Sequence, residues 1–380
     1  LGYGNPKSLI AFRCLSRDVN LKNPMAMDPV VATLVRAGRL RIAVGLGDVS
    51  HRLCFGEADF LPGLVIDRYS LKDGQVFVVQ AHTAGANFWM GSILEILERY
   101  VAALAAGQEI GKEVWKKTSV VLRNDLRVRV LEGLEEESPR VLKSVPGIEL
   151  ENVQIRVASV LAPFSQSVLN FNVNLISGQK TGFFLDQFAN IQLAAARFRS
   201  LARSQIRILD LCSYVGQWGA QLGRVFTEAG VKVEVLAVDV SATALAQARS
   251  NVEAQGVKCE TLKANVLKEL DQIPDRSFDL VIADPPAFVQ SRKDLPTGTH
   301  AYLQLATQVF RIARPEAGVV CCSCSGLLDE ESFTQVISKA AQRNRVPVRW
   351  VGRGAPSPDH PMLTEFPEGR YLKGWMGIIN

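Results

Sequence analysis

Val281-Ile282-Ala283-Asp284-Pro285-Pro286-Ala287-Phe288 is an apolar run that ends in an acid, two prolines and an aromatic. Such a run is too short for a helix and reads as a buried strand. Asp284 then stands at the strand's C-terminal edge, where open α/β sheets bind ligands. Pro285 and Pro286 fix φ and remove two N–H donors, so the turn after the strand is stiff. A stiff acidic turn at the mouth of a parallel sheet suits a planar, polar substrate group. Downstream, Cys321-Cys322-Ser323-Cys324-Ser325-Gly326 brings thiols to the end of the next expected strand.

Working outward, the stretch from residue 176 onward alternates strands and helices. Strands are expected at 206–210, 233–239, 259–263, 278–283 and 318–323, with further strands near 346–351 and 372–379. Helices are expected at 186–201, up to 226, and at 241–254, 301–312 and 330–343, with Ser241 as an N-cap. This alternation predicts a doubly wound α/β sheet. Upstream, a helix at 29–38 carries Arg36 and is followed by Arg39 and Arg41. Strand-like segments follow at 53–55, 63–69, 75–80, 114–122 and 127–131, around a helix at 87–104. That set predicts a smaller α/β module. Residues 1–20 read as a turn and a strand, too little to fold alone, as if they closed a small β domain lying upstream.

The chain has 380 residues, 47% of them hydrophobic, enough for two or three domains. No charged segment followed by an apolar one opens it, and no run of about 18 apolar residues marks a membrane span. The net charge of +5 permits a polyanionic partner without requiring one. Seven cysteines at irregular spacing point to a reducing, cytoplasmic compartment and away from structural zinc, and no metal site is expected.

The turn after the first strand of the sheet is Asp210-Leu211-Cys212-Ser213-Tyr214-Val215-Gly216-Gln217-Trp218-Gly219. It lacks the three-glycine pattern that lets a backbone approach a pyrophosphate. An acid at its start and bulk elsewhere suit a cationic ligand without phosphates, such as S-adenosylmethionine. Asp210 is placed to face the ligand's amino group, and Ser213 and Gly216 form the turn beside it. Asp239, ending the second strand, can accept from both ribose hydroxyls, or it can simply cap its helix. Asn265 can accept from the adenine amino group, or it can be a turn residue. Trp218 is expected to pack around the cofactor.

With these motifs in order, the chain resembles the bacterial 23S rRNA cytosine-C5 methyltransferases of the RlmI type. Asp284-Pro285-Pro286-Ala287-Phe288 and Ser323-Cys324-Ser325-Gly326 carry the resemblance. So do Gly56-Glu57-Ala58-Asp59-Phe60-Leu61-Pro62-Gly63, Asp67-Arg68-Tyr69 and Thr181-Gly182-Phe183-Phe184-Leu185-Asp186-Gln187. Asp359-His360-Pro361 and Pro367-Glu368-Gly369-Arg370-Tyr371-Leu372-Lys373-Gly374 complete it. The resemblance implies a remnant of an N-terminal PUA domain at 1–20 and a helical connector at 21–48. It further implies a central α/β domain at 49–175 and a Rossmann-like methyltransferase domain at 176–380. It departs from the family at Phe188 and Ile191, where basic residues are usual, and at Tyr214-Val215-Gly216-Gln217-Trp218, where Tyr-Thr-Gly-Gly-Phe is usual.

The implied reaction is transfer of a methyl group from S-adenosylmethionine to cytosine C5 in RNA. Cytosine C5 needs transient activation by a nucleophile at C6, and a thiolate is apt for that. Cys324 matches the family's nucleophile, and Asp284 is expected to hydrogen-bond cytosine N3. Gln187 is implied on the cofactor side. Pro285, Pro286, Phe288, His360 and Lys373 are implied on the substrate side, with Phe288 stacking on an unstacked base. Cys322 is expected on the opposite side of its strand from Cys324, as a small core residue. The rival readings are an exocyclic-amine or guanine N-methyltransferase using the Asp284-Pro285-Pro286 turn, a cofactor- and RNA-binding protein without catalysis, and, more distantly, a nicotinamide dehydrogenase. The oligomeric state stays open, a homodimer included.

Overall fold

The computed structural model describes residues 1–18, 20–105, 107–161, 167–201 and 203–380. They form two compact units. The first comprises Leu1–Ala158, Phe164–Asp186 and Pro358–Pro367, and the second Ser159–Pro163, Gln187–Ser357 and Glu368–Asn380. The long run in the second unit therefore begins at Gln187, eleven residues beyond the boundary expected at 176, and residues 358–367 return to the first.

In the first unit, β1 (Gly2–Gly4) pairs with β2 (Phe12–Cys14) as a short antiparallel ribbon. Helix α1 (Met27–Ala43) follows, then β3 (His51–Phe55), β4 (Leu64–Leu71) and β5 (Gly74–Ala81). Helices α2 (Ala84–Phe88), α3 (Ile93–Leu104) and α4 (Gln108–Lys116) precede β6 (Thr118–Leu122), β7 (Arg140–Lys143), β8 (Val153–Ala158) and β9 (Val168–Val173). The sheet runs β7-β6-β5-β4-β8-β9, with β3 also paired to β4, and only β5 and β6 run parallel.

Several local expectations change here. The first helix extends past Gly38 because that glycine is where α3 packs closest. A Cβ at Gly38 would lie 2.6 Å from the Tyr100 hydroxyl. Residues 127–131 form a 3-10 turn and not a strand. Val128, Val130 and Leu131 face solvent, while Arg129 is the buried residue and donates to the carbonyls of Ala81 and Glu135. The alternation was real but its polarity was inverted. Residues 114–116 close α4, whose Glu109–Lys112 and Glu113–Lys116 pairs have helical spacing.

A buried polar network ties this unit together. Arg41, fully buried, forks onto Asp59 (Nη2–Oδ2 2.7 Å) and donates to the Asp359 carbonyl (2.7 Å). Arg52 forks onto Asp67 at 2.8 and 2.9 Å, and its backbone N–H donates to Asp359 Oδ2 at 2.7 Å. Thr181 donates to Asp67 and shares a hydrogen bond with the Tyr69 hydroxyl. Buried charges persist only when paired and hydrogen-bonded. Residues 358–367 are tied into this unit by Asp359, whose carbonyl accepts from Arg41 and whose carboxylate accepts from the Arg52 N–H.

The second unit is the doubly wound sheet. It contains α5 (Phe188–Phe198), β10 (Gln205–Leu211), α6 (Gln217–Glu228), β11 (Lys232–Asp239), α7 (Ala242–Glu253), β12 (Lys258–Lys263) and β13 (Phe278–Ala283). Then come α8 (Leu295–Ile312), β14 (Ala313–Ser323), α9 (Glu330–Arg343), β15 (Val348–Gly354) and β16 (Lys373–Ile379). The strand order is β12-β11-β10-β13-β14-β16-β15. The first five strands are parallel, and β16 is antiparallel to both of its neighbours. Ser241 caps α7 as expected, accepting from the Ala244 N–H. Helix α8 begins six residues before the expected 301, with Pro296 in its first turn, where a missing N–H costs nothing. One face of the sheet packs on α8 and α9 through Leu209, Val281, Val309, Phe310, Val319, Phe333 and Ile337, all buried.

Replacing Arg52 with Met should leave the Asp67 carboxylate buried and without its fork. Breaking one side of a buried pair costs about 3–5 kcal/mol, so the urea midpoint of the variant should fall by the corresponding amount. A midpoint within error of the parent would show that the pair adds no net stability.

Candidate active site

The parallel strands β10, β11, β13 and β14 all end at one edge of the sheet, and most of the residues expected at the site stand in the turns that leave it. The first of these turns is bent hard. Cys212 (φ 61°) and Tyr214 (φ 47°) are left-handed, and so is Gly216 (φ 79°). Any side chain at Gly216 would press on the Ala248 backbone of α7 at 3.0 Å, so the turn needs a glycine there both for its φ and for its packing.

Asp210 lies fully buried near the end of β10. Its Oδ2 accepts from the Gly219 N–H at 3.0 Å, while Oδ1 has no partner. Burial pushes its pKa up to about 7; the Gly219 N–H opposes this, and the charges of Asp284 and Asp239 add to it. Asp239, also buried, accepts from the Ser241 N–H (2.9 Å) and the Tyr214 N–H (3.0 Å). It therefore braces both the residue that caps α7 and the glycine turn. The buried Ser213 hydroxyl has no partner among the described residues. Among the described residues, no Lys or Arg lies within 4 Å of the Asp210 or Asp239 carboxylate. Unmatched acceptors and clustered negative charge fit a cationic ligand without phosphates, and so fit S-adenosylmethionine. Asn265 stands in the turn after β12, where its Oδ1 accepts from the Leu267 N–H at 2.9 Å. The geometry gives it a turn role.

Asp284 leaves β13 with both carboxylate oxygens engaged. Gln187 Nε2 donates to Oδ1 at 2.7 Å and Trp218 Nε1 donates to Oδ2 at 3.0 Å. Gln187 is held in turn by Asn190, whose amide donates to its Oε1 at 2.7 Å. Trp218, expected as packing, is thus an aiming group for the acid. Pro285 is buried, Pro286 exposed and Phe288 half-buried, with its ring 4.8 Å from that of Tyr302.

The turn after β14 is fastened to this one. Ser325 Oγ accepts from the Val289 N–H at 3.0 Å and meets the Tyr302 hydroxyl at 2.9 Å. Cys324, half-buried, points its Sγ at the Pro285 carbonyl, 3.6 Å away. Cys322 is buried, as expected, but not on the side expected. Strand alternation puts residues i and i+2 on one side, and Cys322 accordingly faces Gln187 and Asp284, with burial holding its thiol well above the usual range. Cys321 faces the opposite, helix-packed side. Lys373, expected at a substrate-facing loop, is instead the buried first residue of β16, paired with Ser323. His360 belongs to the first unit, 2% exposed, with Nδ1 2.9 Å from Asp359 Oδ1 and its ring 5.0 Å from Phe55. Among the described residues no cluster of His, Cys, Asp and Glu could hold a metal ion, and no helix is long and apolar enough to cross a membrane.

A family profile described as a methyltransferase domain matches residues 208–305, which span β10 to the middle of α8. The ribosomal RNA large subunit methyltransferase I of Erwinia tasmaniensis is 30% identical over 356 residues, 92% of this chain and 80% of that protein. Its namesake from Photobacterium profundum is 30% identical over 381 residues, 98% of this chain and 85% of that one. The chain belongs to the ribosomal RNA large subunit methyltransferase I family. A Streptococcus mutans protein assigned as a SAM-dependent methyltransferase superposes with a TM-score of 0.68 at 16% identity, covering 99% of this chain and 87% of that one. This likeness shows that the two share a fold along nearly the whole chain, and so supports a Rossmann-like methyltransferase sheet joined to a smaller α/β module.

The elevated Asp210 pKa has a measurable sign. A carboxyl raised on folding stabilises fully below its unfolded pKa and loses that contribution as pH rises through the folded value. For Asp210 this window runs from about pH 4 to about pH 7. The thermal midpoint of the ligand-free protein should fall across the window, and Asp210→Asn should flatten that part of the profile. Parallel profiles for the two proteins would exclude Asp210 as the titrating group.

Proposed function

We propose that this member of the ribosomal RNA large subunit methyltransferase I family methylates C5 of a cytosine in large-subunit ribosomal RNA, with Cys324 as nucleophile. The observation that carries the reading is the pairing of two strand-end groups. Cys324 and Asp284 leave adjacent parallel strands, and the thiol points at the Pro285 carbonyl 3.6 Å away. When bound, S-adenosylmethionine supplies an electrophilic methyl group on a sulfonium. Asp210 and Asp239 offer carboxylates to such a cation and its ribose, and Ser213 offers a hydroxyl.

The chain's own chemistry then acts on the base. The Cys324 thiolate adds at C6, and the electrons released into the ring make C5 nucleophilic enough to take the methyl group. Asp284, aimed by Gln187 and Trp218 and carrying a proton, donates a hydrogen bond to N3 as negative charge develops there. Loss of the C5 proton then expels the thiolate and restores the aromatic ring. Half-buried Phe288 offers an aromatic face to a base taken out of its stack. Amine methylation through the Asp284-Pro285-Pro286 turn would give Cys324 no part in the reaction, and the Pro285 carbonyl already faces its thiol.

Incubation with radiolabelled S-adenosylmethionine and unmodified large-subunit rRNA, followed by digestion, should yield labelled 5-methylcytidine. Cys324→Ala should lower turnover by at least about three orders of magnitude while cofactor binding, followed by calorimetry, stays intact. A labelled exocyclic amine or guanine would retire Cys324 and move the chemistry to Asp284. Confirmed cofactor binding with no label on any rRNA would favour the binding-only reading.

A further inference from the structure

Lys373 carries the least expected charge in the second unit. The side chain is 4% exposed, on the first residue of an interior strand. Its ammonium donates to two backbone carbonyls, those of Ser325 (2.8 Å) and Tyr371 (2.9 Å). Among the described residues no carboxylate lies within 4 Å of it. The nearest acids are committed elsewhere: Asp329 caps α9 at Ser332, and Glu330 pairs with Arg353. A buried ammonium without an anion is costly, and proteins keep one where a charge is needed.

We propose that Lys373 is a positioning residue that holds the Cys324 side chain as a thiolate. This rests on the reading of Cys324 as the nucleophile. The carbonyl that Lys373 grips belongs to Ser325, the residue that follows Cys324, so the ammonium and the thiol are held by one turn. Ser325 is itself fixed through its hydroxyl to Tyr302 and Val289. Lys373 cannot withdraw without breaking two bonds inside a sheet. Burial pulls its pKa down to about 8, and the charge of Cys324 is the foremost influence opposing that fall, ahead of Glu330 and Asp329. The ammonium is therefore still charged at neutral pH, and forming the thiolate favours keeping it so. Tyr302 on α8, Cys212 after β10 and Cys322 on β14 also sense Cys324, and Asp284 leaves the adjacent strand at the same sheet edge. Tyr302 and the two cysteines are neutral or become negative and Asp284 is an acid, so these four give a thiolate no favourable charge. Proton loss from the thiol goes to solvent, and the lysine keeps its own proton throughout.

The test reads the thiol and not the reaction. The full chain is alkylated with iodoacetamide across a pH series, and Cys324 modification is quantified by fragment-ion mass spectrometry, which separates it from Cys321 and Cys322 on the same peptide. The unaltered protein should react at Cys324 with an apparent pKa below the free-thiol value of about 8.5. Lys373→Met should slow Cys324 alkylation at pH 7 about tenfold, one pKa unit, with S-adenosylmethionine binding unchanged. Lys373→Arg, which keeps the charge, should retain most of the fast reaction. A Cys324 profile in the unaltered protein at or above that of a free thiol overturns the proposal, whether or not Lys373→Met folds. So does a profile that Lys373→Met leaves in place. Because no methyl transfer is measured, a shifted profile in a protein that makes no 5-methylcytidine would fault the reaction assignment and leave the thiol–lysine pair standing.

Discussion

The pairing of β13 with β14 is the constraint on which the site depends. Ala283 lies opposite Cys321, so the two strands run out of sheet within a few residues of each other and deliver Asp284 and Cys324 to the same edge. Register in a parallel pair admits no small adjustment. A slip by one residue would turn every side chain to the other face, burying the acid and moving the thiol away. The Ser325 hydroxyl reinforces this register beyond the strands, where ladder bonds stop, by tying the cysteine turn to Val289 and to Tyr302 of α8. Two turns are thus held by one hydroxyl and one ladder.

Much of the second unit was legible in the sequence because its signals are local. Apolar runs of five or six residues bounded by turn residues gave the parallel strands. The acids Asp210, Asp239 and Asp284 announced themselves by standing where those runs end. What escaped notice is non-local. The indole of Trp218 reaches Asp284 across 66 residues and the amide of Gln187 across 97, and no periodicity encodes such a meeting. Lys373 looked like a loop charge because nothing in Leu372-Lys373-Gly374 says that the strand starting there is covered on both sides. The side taken by Cys322 was legible from strand alternation alone, and its expected placement was at odds with that rule.

The first unit was harder to read for a different reason. Its core carries charge. Arg41, Arg52 and Arg129 are buried, so the rule that apolar residues face inward fails where they stand. The segment 127–131 shows the result: alternation was present, but the arginine was inside and the valines outside. The motifs that carried the family resemblance in this unit, Asp59, Asp67, Thr181 and Asp359, turn out to be members of one buried hydrogen-bonded set.

That set has a consequence for how the protein is made. Asp359 closes bonds to Arg41 and Arg52 across 318 and 307 residues. A chain emerging from its N-terminus therefore holds two interior arginines whose last acceptor does not yet exist. Nearly the whole of the methyltransferase sheet must be synthesised before that acceptor arrives. Arg41 and the Arg52 N–H, both made early, thus reach these acceptors only after most of the sheet's strands have been made, with β16 still to come. The contacts that close this core are set late in synthesis although most of its residues are made early.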